Sequence, residues 1–262
     1  MKKIFFFDID GTLLDTSNGV YLFDDMLYKN LKYLHTQGHI IAACTARPQN
    51  FVAYCLPNLF DCLILMNDSF VSVDGKILIN QPLSIHEIEK HSKYFDTIDV
   101  GYIFIGNTLC WANNIPLYYQ KTLDDIYMIG DGYTRFSSDI TAPVYAIDLF
   151  FENQSDYSRI TTIIDKEYIL NYKYGDYTCD ISFQNTNKSI AIPQVLKYYG
   201  LSTSDAYAFG DGLNDIDVFK LIPNTCAVCN ANTQLKKTAS FVSKRNIAKG
   251  VLEGLQHWGY GL

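Results

Sequence analysis

Residues 4–14 read IFFFDIDGTLL. A run of four apolar residues without alternation is the pattern of a short strand covered on both faces. Two carboxylates one residue apart, Asp8 and Asp10, then stand at its tip, followed by a glycine. An acidic surface turn accounts for that arrangement, and so does a pair of carboxylates converging on something positive. The rest of the chain has to decide between them.

Outward from this stretch the same texture repeats. FDDMLYKNLKYLH places Phe23, Met26, Leu27, Leu31 and Leu34 on a helical stripe that Gly38 ends. IIAAC (40–44) and CLILM (62–66) are further apolar strands, with a helix over QNFVAYCL between them. FVSVDGKILI (70–79) reads as a hairpin turning at Asp74-Gly75. Near-continuous apolar strands alternating with helices indicate an α/β fold, a parallel sheet with helices on both faces.

After Pro82 the texture changes. A helix over 84–95 leads to two strand-like runs around Gly106-Asn107, and strands near 144–151, 167–173 and 177–183 come next. Strands that pair with sequence neighbours, with a few helices, describe an α+β unit. From about 186 the first texture returns. A helix over 188–199 ends at Gly200, AYAF is a strand, LNDIDVFKLI a helix and TCAVC a strand. TQLKKTA is a helix, FVS a short strand and AKGVLEGLQHW a closing helix. The expected organisation is a core domain formed by 1–81 and 185–262, split by an inserted α+β domain over 82–184.

Charge and cysteine usage narrow the function classes. The chain has 262 residues, 48% of them hydrophobic, and a formal charge of −7. No clustered basic face is present for a nucleic-acid partner, whereas a phosphorylated small molecule needs only a locally positive site. The apolar run near the N-terminus is too short for a signal-peptide core, and no stretch is long enough to span a bilayer. The seven cysteines read as reduced thiols, mostly buried, so the expected compartment is the cytoplasm. The Cys226/Cys229 pair has no second Cys/His pair to complete a zinc set.

In an open parallel sheet, ligands bind beyond the carboxyl ends of the strands. The first strand carries Asp8 and Asp10 there, and the second carries Thr45 and Arg47. NTNKS presents Lys188 at a helix start, and GDGLND (210–215) places Asp211, Asn214 and Asp215 after another buried strand. Each residue alone has a plain reading as a helix cap, a turn or a solvated charge. Together they describe a site. Carboxylates gathered in one cleft repel one another, and a divalent cation removes that cost. Oxygen ligands with no nearby His or Cys favour Mg²⁺ over zinc. An Asp8 oxygen can then attack phosphorus, Asp10 can move the proton, Thr45 and nearby backbone N–H groups can bind phosphate oxygens, and Lys188, held by Asp215, can stabilise charge.

DIDGTLLD at 8–15, TAR at 45–47, Lys188 before a helix and GDGLND at 210–215 resemble, in order and spacing, the four motifs of the haloacid dehalogenase (HAD) superfamily of phosphatases. More narrowly they resemble its Cof-like branch, which carries a large C2-type cap. The resemblance implies a Rossmann-like core with the insertion as a cap that closes over the site. It implies Asp8 as nucleophile and metal ligand, and Asp10 as general acid/base and as a ligand through its backbone carbonyl. Asp211 would be a further Mg²⁺ ligand, and Thr45, Ala46, Lys188 and Asn214 the phosphate contacts, with Asp215 and Arg47 in support. Two positions depart from the pattern: Ala46 stands where glycine is usual, and Asn67-Asp68 stands where the branch tends to have Asn-Gly.

The expected activity is Mg²⁺-dependent hydrolysis of a small phosphate monoester, a sugar phosphate by family implication, through an aspartyl-phosphate. A phosphomutase on the same scaffold and a non-catalytic phosphate sensor are the alternatives. Other features stay in the background. GDGYTRF (130–136) with Asp131 reads as a turn, and neither it nor GDGLND is a dinucleotide fingerprint. His35, His39, His86, His91 and His257 read as scattered surface residues. Tyr102, Phe104, Trp111, Tyr118 and Tyr119 can stack on a sugar ring, but core packing is the plainer assignment.

Overall fold

The computed structural model describes residues 1–107, 109–116, 119, 133–135, 142–166, 168–173, 178–183 and 188–262. The chain forms two compact units. One comprises Met1–Arg47, Ala53–Asn80 and Asn187–Leu262; the other comprises Pro48–Val52 and Gln81–Thr186. Asp131 and Tyr118 lie outside the described residues.

The described elements begin with β1 (Ile4–Phe7), α1 (Asp25–Thr36), β2 (Ile40–Cys44) and α2 (Gln49–Cys55). Then come β3 (Cys62–Leu65), β4 (Phe70–Val73), β5 (Lys76–Asn80), α3 (Ile85–Thr97), β6 (Gly101–Gly106) and β7 (Cys110–Asn113). β8 (Tyr133–Arg135), β9 (Val144–Phe150), α4 (Gln154–Ile163), β10 (Tyr168–Lys173) and β11 (Thr178–Phe183) continue the chain. The last are α5 (Ile192–Tyr199), β12 (Ala206–Gly210), α6 (Ile216–Leu221), β13 (Asn224–Ala227), α7 (Thr233–Thr238), β14 (Phe241–Val242) and α8 (Ile247–His257).

The first unit is built on a sheet of order β14-β13-β12-β1-β2-β3-β4-β5. Its strands from β14 to β3 run parallel, and the β4–β5 hairpin closes one edge antiparallel. All four residues of β1 are buried, as are all five of β2 and of β12, so neither face of these strands meets water. Aromatic rings tie β1 to β12: Phe5 stacks on Tyr207 with centroids 4.9 Å apart, and Phe7 on Phe209 at 4.8 Å. α1 starts where the Asp24 carboxylate accepts the N–H groups of Met26 and Leu27, each at 2.9 Å. It buries Leu27, Leu31 and Leu34 at helical spacing and packs against β2 and α8.

Strand order decides where the site lies. From β1 the chain proceeds through β2 and β3 to one side, and the later strands β12, β13 and β14 fill the other. The order therefore reverses between β1 and β12, and the crevice beyond their carboxyl ends is the topological switch point. β1 and β12 are in register from Ile4/Ala206 to Phe7/Phe209, and the Asp8 N–H donates to the Phe209 carbonyl at 3.0 Å. Asp8 and Asp211 thus leave adjacent strands at the same level.

The second unit has a sheet of order β10-β11-β9-β6-β7-β8, antiparallel except for the β7–β8 pair. Residues two apart share a sheet face, and one face supplies Tyr102, Phe104, Ile147 and Leu149 to a core with Ile88 and Phe95 of α3 and Ile160 of α4. Tyr102, Phe104 and Trp111 belong to that cluster, and Tyr119 is also buried, so these four aromatics serve packing.

Three expectations need correction. His91 is no surface residue: it is 3% exposed and its Nδ1 pairs with the Tyr168 hydroxyl. It lies between Ile88 and Phe95 on the face of α3 that the core covers, and Tyr168 satisfies its ring nitrogen. α4 is a helix where the sequence pattern places none, because its segment contributes one buried residue, Ile160. Lys188 does not open a helix. It sits in a turn ahead of α5, because the helix begins at Ile192 with Pro193 in its first turn. All seven cysteines are free thiols, and no helix among the described residues is long and apolar enough to cross a membrane.

Candidate active site

Asp8 comes directly after β1 and is 6% exposed. The next residues fold back at once. The N–H groups of Thr12, Leu13 and Leu14 all point to the Ile9 carbonyl, at 3.3, 2.9 and 3.0 Å. Gly11 adopts φ +77°, and a Cβ there would fall 2.3 Å from Oδ2 of Asp211. Both observations favour glycine at this position. This turn brings the Thr12 hydroxyl to donate to Asp211 Oδ1 at 3.3 Å.

Lys188 is the cation of the cluster. It is 1% exposed, and its Nζ donates to Asp8 Oδ1 at 2.5 Å and to Asp215 Oδ1 at 3.0 Å. Burial opposes its charge, but Asp215 and Asp8 outweigh that and hold the ammonium protonated, well above its usual range. Asp215 is committed on its other side as well: Oδ2 accepts the N–H groups of Asp211 and Gly212 at 3.1 and 3.0 Å, which shapes the loop after β12. Cys44, the last residue of β2, donates its thiol to the Lys188 carbonyl at 3.6 Å and anchors the lysine's own backbone.

Carboxylate oxygens of Asp8, Asp211 and Asp215 lie within 4.8 Å of one another. Burial is the largest influence on Asp8 and raises its carboxyl well above the ordinary range. Lys188 works against that rise, and Asp215, Asp211 and Asp10 add to it. Asp211 is pushed up to about 6, by burial first and by Asp215 second. Carboxylates gathered this closely and largely buried repel one another when ionised, and Lys188 is paired with only two of them. An all-oxygen donor set with that repulsion to relieve fits a hard divalent cation.

Asp10 faces Arg47, which grips it with two hydrogen bonds, Nε to Oδ2 at 2.9 Å and Nη2 to Oδ1 at 2.8 Å. Thr45 is 1% exposed; its N–H donates to the Ile64 carbonyl and its hydroxyl oxygen accepts the Arg47 N–H at 3.1 Å. Asp8, Asp211, Asp215 and Lys188 therefore meet in one cluster, with Asp10, Arg47 and Thr45 linked in sequence beside it. Ala46 is half-buried and Asn214 is exposed on the short turn after Gly212. Thr12, Cys44 and Asp68 escape the sequence pattern as site residues. Thr12 belongs to the quoted DIDGTLL stretch, where its neighbours draw the attention, and the Cys44 and Asp68 contacts reach across more than 100 residues.

A family model of haloacid dehalogenase-like hydrolases matches residues 5–255. The 5-amino-6-(5-phospho-D-ribitylamino)uracil phosphatase YwtE of Bacillus subtilis is 24% identical, with 93% of each chain covered. YkrA of the same organism, described as a phosphatase, is 24% identical over 98% of each chain. Among solved structures, a protein from Geobacillus kaustophilus superposes with a TM-score of 0.82 at 22% identity, covering 99% of this chain and all of that one. A HAD subclass IIB sugar phosphatase superposes with a TM-score of 0.79 at 20% identity, over 98% of this chain and 99% of that one. With the family matched from β1 into α8, the chain belongs to the haloacid dehalogenase superfamily, as a phosphatase of its Cof-like branch.

Proposed function

We propose that the chain hydrolyses small phosphate monoesters, sugar phosphates foremost, through a phosphorylated Asp8. The observation that carries this reading is Lys188 Nζ bridging Asp8 and Asp215 beside Asp211 at the switch point of the sheet. The sugar-phosphate preference draws support from the relatives, one named for a phosphoribityl substrate and one structure described as a sugar phosphatase.

Asp8, Asp211 and the backbone carbonyl of Asp10 are the groups that would hold Mg²⁺, since both oxygens of Asp215 are already engaged. Held by these groups, Mg²⁺ would screen the repulsion between an attacking carboxylate and an anionic phosphate. Lys188 takes one lone pair of Asp8 Oδ1, so that oxygen could still hold the cation while Oδ2 attacks phosphorus. The P–O bond to the alcohol breaks as the P–O bond to Asp8 forms, and the departing oxygen takes the proton of Asp10. Asp10 then accepts a proton from water, whose oxygen attacks the same phosphorus and frees Asp8 as a carboxylate. Both Asp10 oxygens accept from Arg47 in the structure, so Asp10 leaves that two-pronged pair to carry the proton and returns to it as a carboxylate. Thr45 and the Lys188 ammonium bind the transferring phosphoryl group.

The test is release of inorganic phosphate from p-nitrophenyl phosphate and from a panel of phosphorylated sugars with Mg²⁺. Asp8→Asn is expected to lower kcat by at least about 1,000-fold, because the nucleophile is gone while the fold remains. Equal release by wild type and Asp8→Asn would end the reading.

A further inference from the structure

Asp68 stands where three physical costs coincide. It comes after β3 in a turn in which Met66, Asn67 and Asp68 all have positive φ, at +49°, +53° and +76°. A side chain in the left-handed region is strained, and a glycine there would not be. The residue is 5% exposed, so its charge is buried. Among the described residues, its Oδ1 has no hydrogen-bond partner. Strained and under-satisfied polar residues cluster where the surrounding structure uses them.

Its other oxygen shows the use. Oδ2 accepts the Ala191 N–H at 2.7 Å. This donor lies three residues after Lys188, in the turn that leads into α5. The Lys188 carbonyl itself is held from the other side by the Cys44 thiol. The segment that carries the lysine is thus gripped from the ends of β2 and β3, while its ammonium reaches Asp8 and Asp215.

We propose that Asp68 is a positioning residue that fixes the Lys188 turn by gripping the Ala191 N–H group, and so sets where the lysine ammonium meets Asp8. The inference rests on the phosphatase reading, in which that meeting is part of the chemistry. The groups facing Asp68 are the Lys188 ammonium and the thiols of Cys44 and Cys62, both of which burial keeps neutral. Burial raises the Asp68 carboxyl to about 7, so its grip changes strength in the neutral range.

A plain structural anchor stabilises the fold, whereas Asp68 strains it, and the experiment exploits that difference. Full-length wild type, Asp68→Gly, Asp68→Asn and Asp8→Asn are compared for p-nitrophenyl phosphate hydrolysis with Mg²⁺, for Tm, and for the backbone-amide NMR signal of Ala191. Asp68→Gly is expected to keep or gain Tm and to keep KM within about twofold while kcat falls about tenfold, since a displaced catalytic group costs turnover rather than binding. Asp68→Asn keeps an acceptor for Ala191 and recovers part of that loss. In wild type the Ala191 amide signal titrates with a midpoint near 7, and in Asp68→Asn that titration disappears. Unchanged kcat in Asp68→Gly, or a fall in kcat matched by a fall in Tm, overturns the proposal, as does the absence of the amide titration in wild type. Should wild type release no more phosphate than Asp8→Asn, the phosphatase reading fails by itself, and the amide titration still decides whether Asp68 grips the turn.

Discussion

β1 and β6 are similar strands with opposite consequences. Each is apolar and buried along its whole length, IFFF in one unit and GYIFIG in the other. Their continuations differ. β1 runs out into Asp8 and its parallel neighbours β2 and β12 end on the same edge, so the polar residues after all three converge. β6 ends at Gly106 and turns back into β7, antiparallel, so successive strand ends in that sheet lie on opposite edges. Parallel pairing gathers chemistry at one rim, and antiparallel pairing disperses it. The first unit accordingly buries Asp8, Asp68, Asp215 and Lys188 near one rim, while the second builds a shared aromatic and aliphatic core. Substitutions that separate a charge-built rim from a packing-built core break or sharpen that contrast.

The largest effect belongs to the core of the second unit. Phe104 is fully buried, with its ring 5.2 Å from that of Tyr102. Phe104→Ala is expected to cost about 3–5 kcal/mol of stability, the range for deleting a buried aromatic ring. Denaturant unfolding measures it, and a loss below about 1 kcal/mol would show that this sheet is not held by its apolar face. At the rim the same experiment asks a different question, because the groups there oppose stability before they serve function.

This contrast also explains what is legible in the sequence. β1, β2, β3 and β12 announce themselves because a strand buried on both faces must be apolar throughout, and α1 because Leu27, Leu31 and Leu34 repeat at helical spacing. The rim is legible as a set, since polar residues at the tips of parallel strands have one place to go. α4 is less so, because Ser, Thr and Arg fill a helix that fully buries only Ile160, and its signals are the Asn153 cap and the short stripe Tyr157, Ile160 and Ile164. His91 misleads because its partner Tyr168 lies 77 residues away, although its position between Ile88 and Phe95 marks the covered face. The Thr12 contact with Asp211 spans 199 residues, and no local pattern reports it. Asp68 stands out as a departure in its motif, but its reason is a bond to Ala191 that only the fold creates.

The second prediction sets metal against pH. Asp211 is raised to about 6 in the folded chain, with burial as the first cause. A carboxyl raised on folding contributes stability that is present below its unfolded value, near 4, and lost as pH rises through 6. Without metal, then, the protein should lose on the order of 2 kcal/mol between about pH 4 and about pH 7 through this group. If Mg²⁺ is held by the ionised carboxylates, as proposed, its stabilising effect should be larger at about pH 7.5 than at about pH 5. Thermal melts with Mg²⁺ and with a chelator measure this. A Tm increment from Mg²⁺ that is the same at both pH values would contradict the assignment of Asp211 as a ligand.

The smallest expected effect discriminates most finely between rim and core, because it uses the same substitution in each. A Cβ on Gly11 would lie 2.3 Å from Asp211 Oδ2 and 2.7 Å from its Cγ, on a backbone at φ +77°. A Cβ on Gly106 would meet backbone instead, the Leu109 carbonyl oxygen at 2.5 Å and that of Pro143 at 2.8 Å. Side chains yield more readily than backbone, so Gly11→Ala should turn Asp211 away from its Thr12 contact rather than unfold the turn. The expected result is about tenfold weaker Mg²⁺ activation in Gly11→Ala, the scale for disturbing a ligand's support. Gly106→Ala has no route to that carboxylate through its own contacts. It should lower Tm by straining the β6–β7 hairpin and leave the Mg²⁺ concentration for half-maximal activity unchanged. Titrating both variants with Mg²⁺ and melting both completes the comparison. If Gly11→Ala loses stability without losing Mg²⁺ affinity, the rim is held by packing after all, and the contrast between the two sheets fails at the residue where it is most exposed.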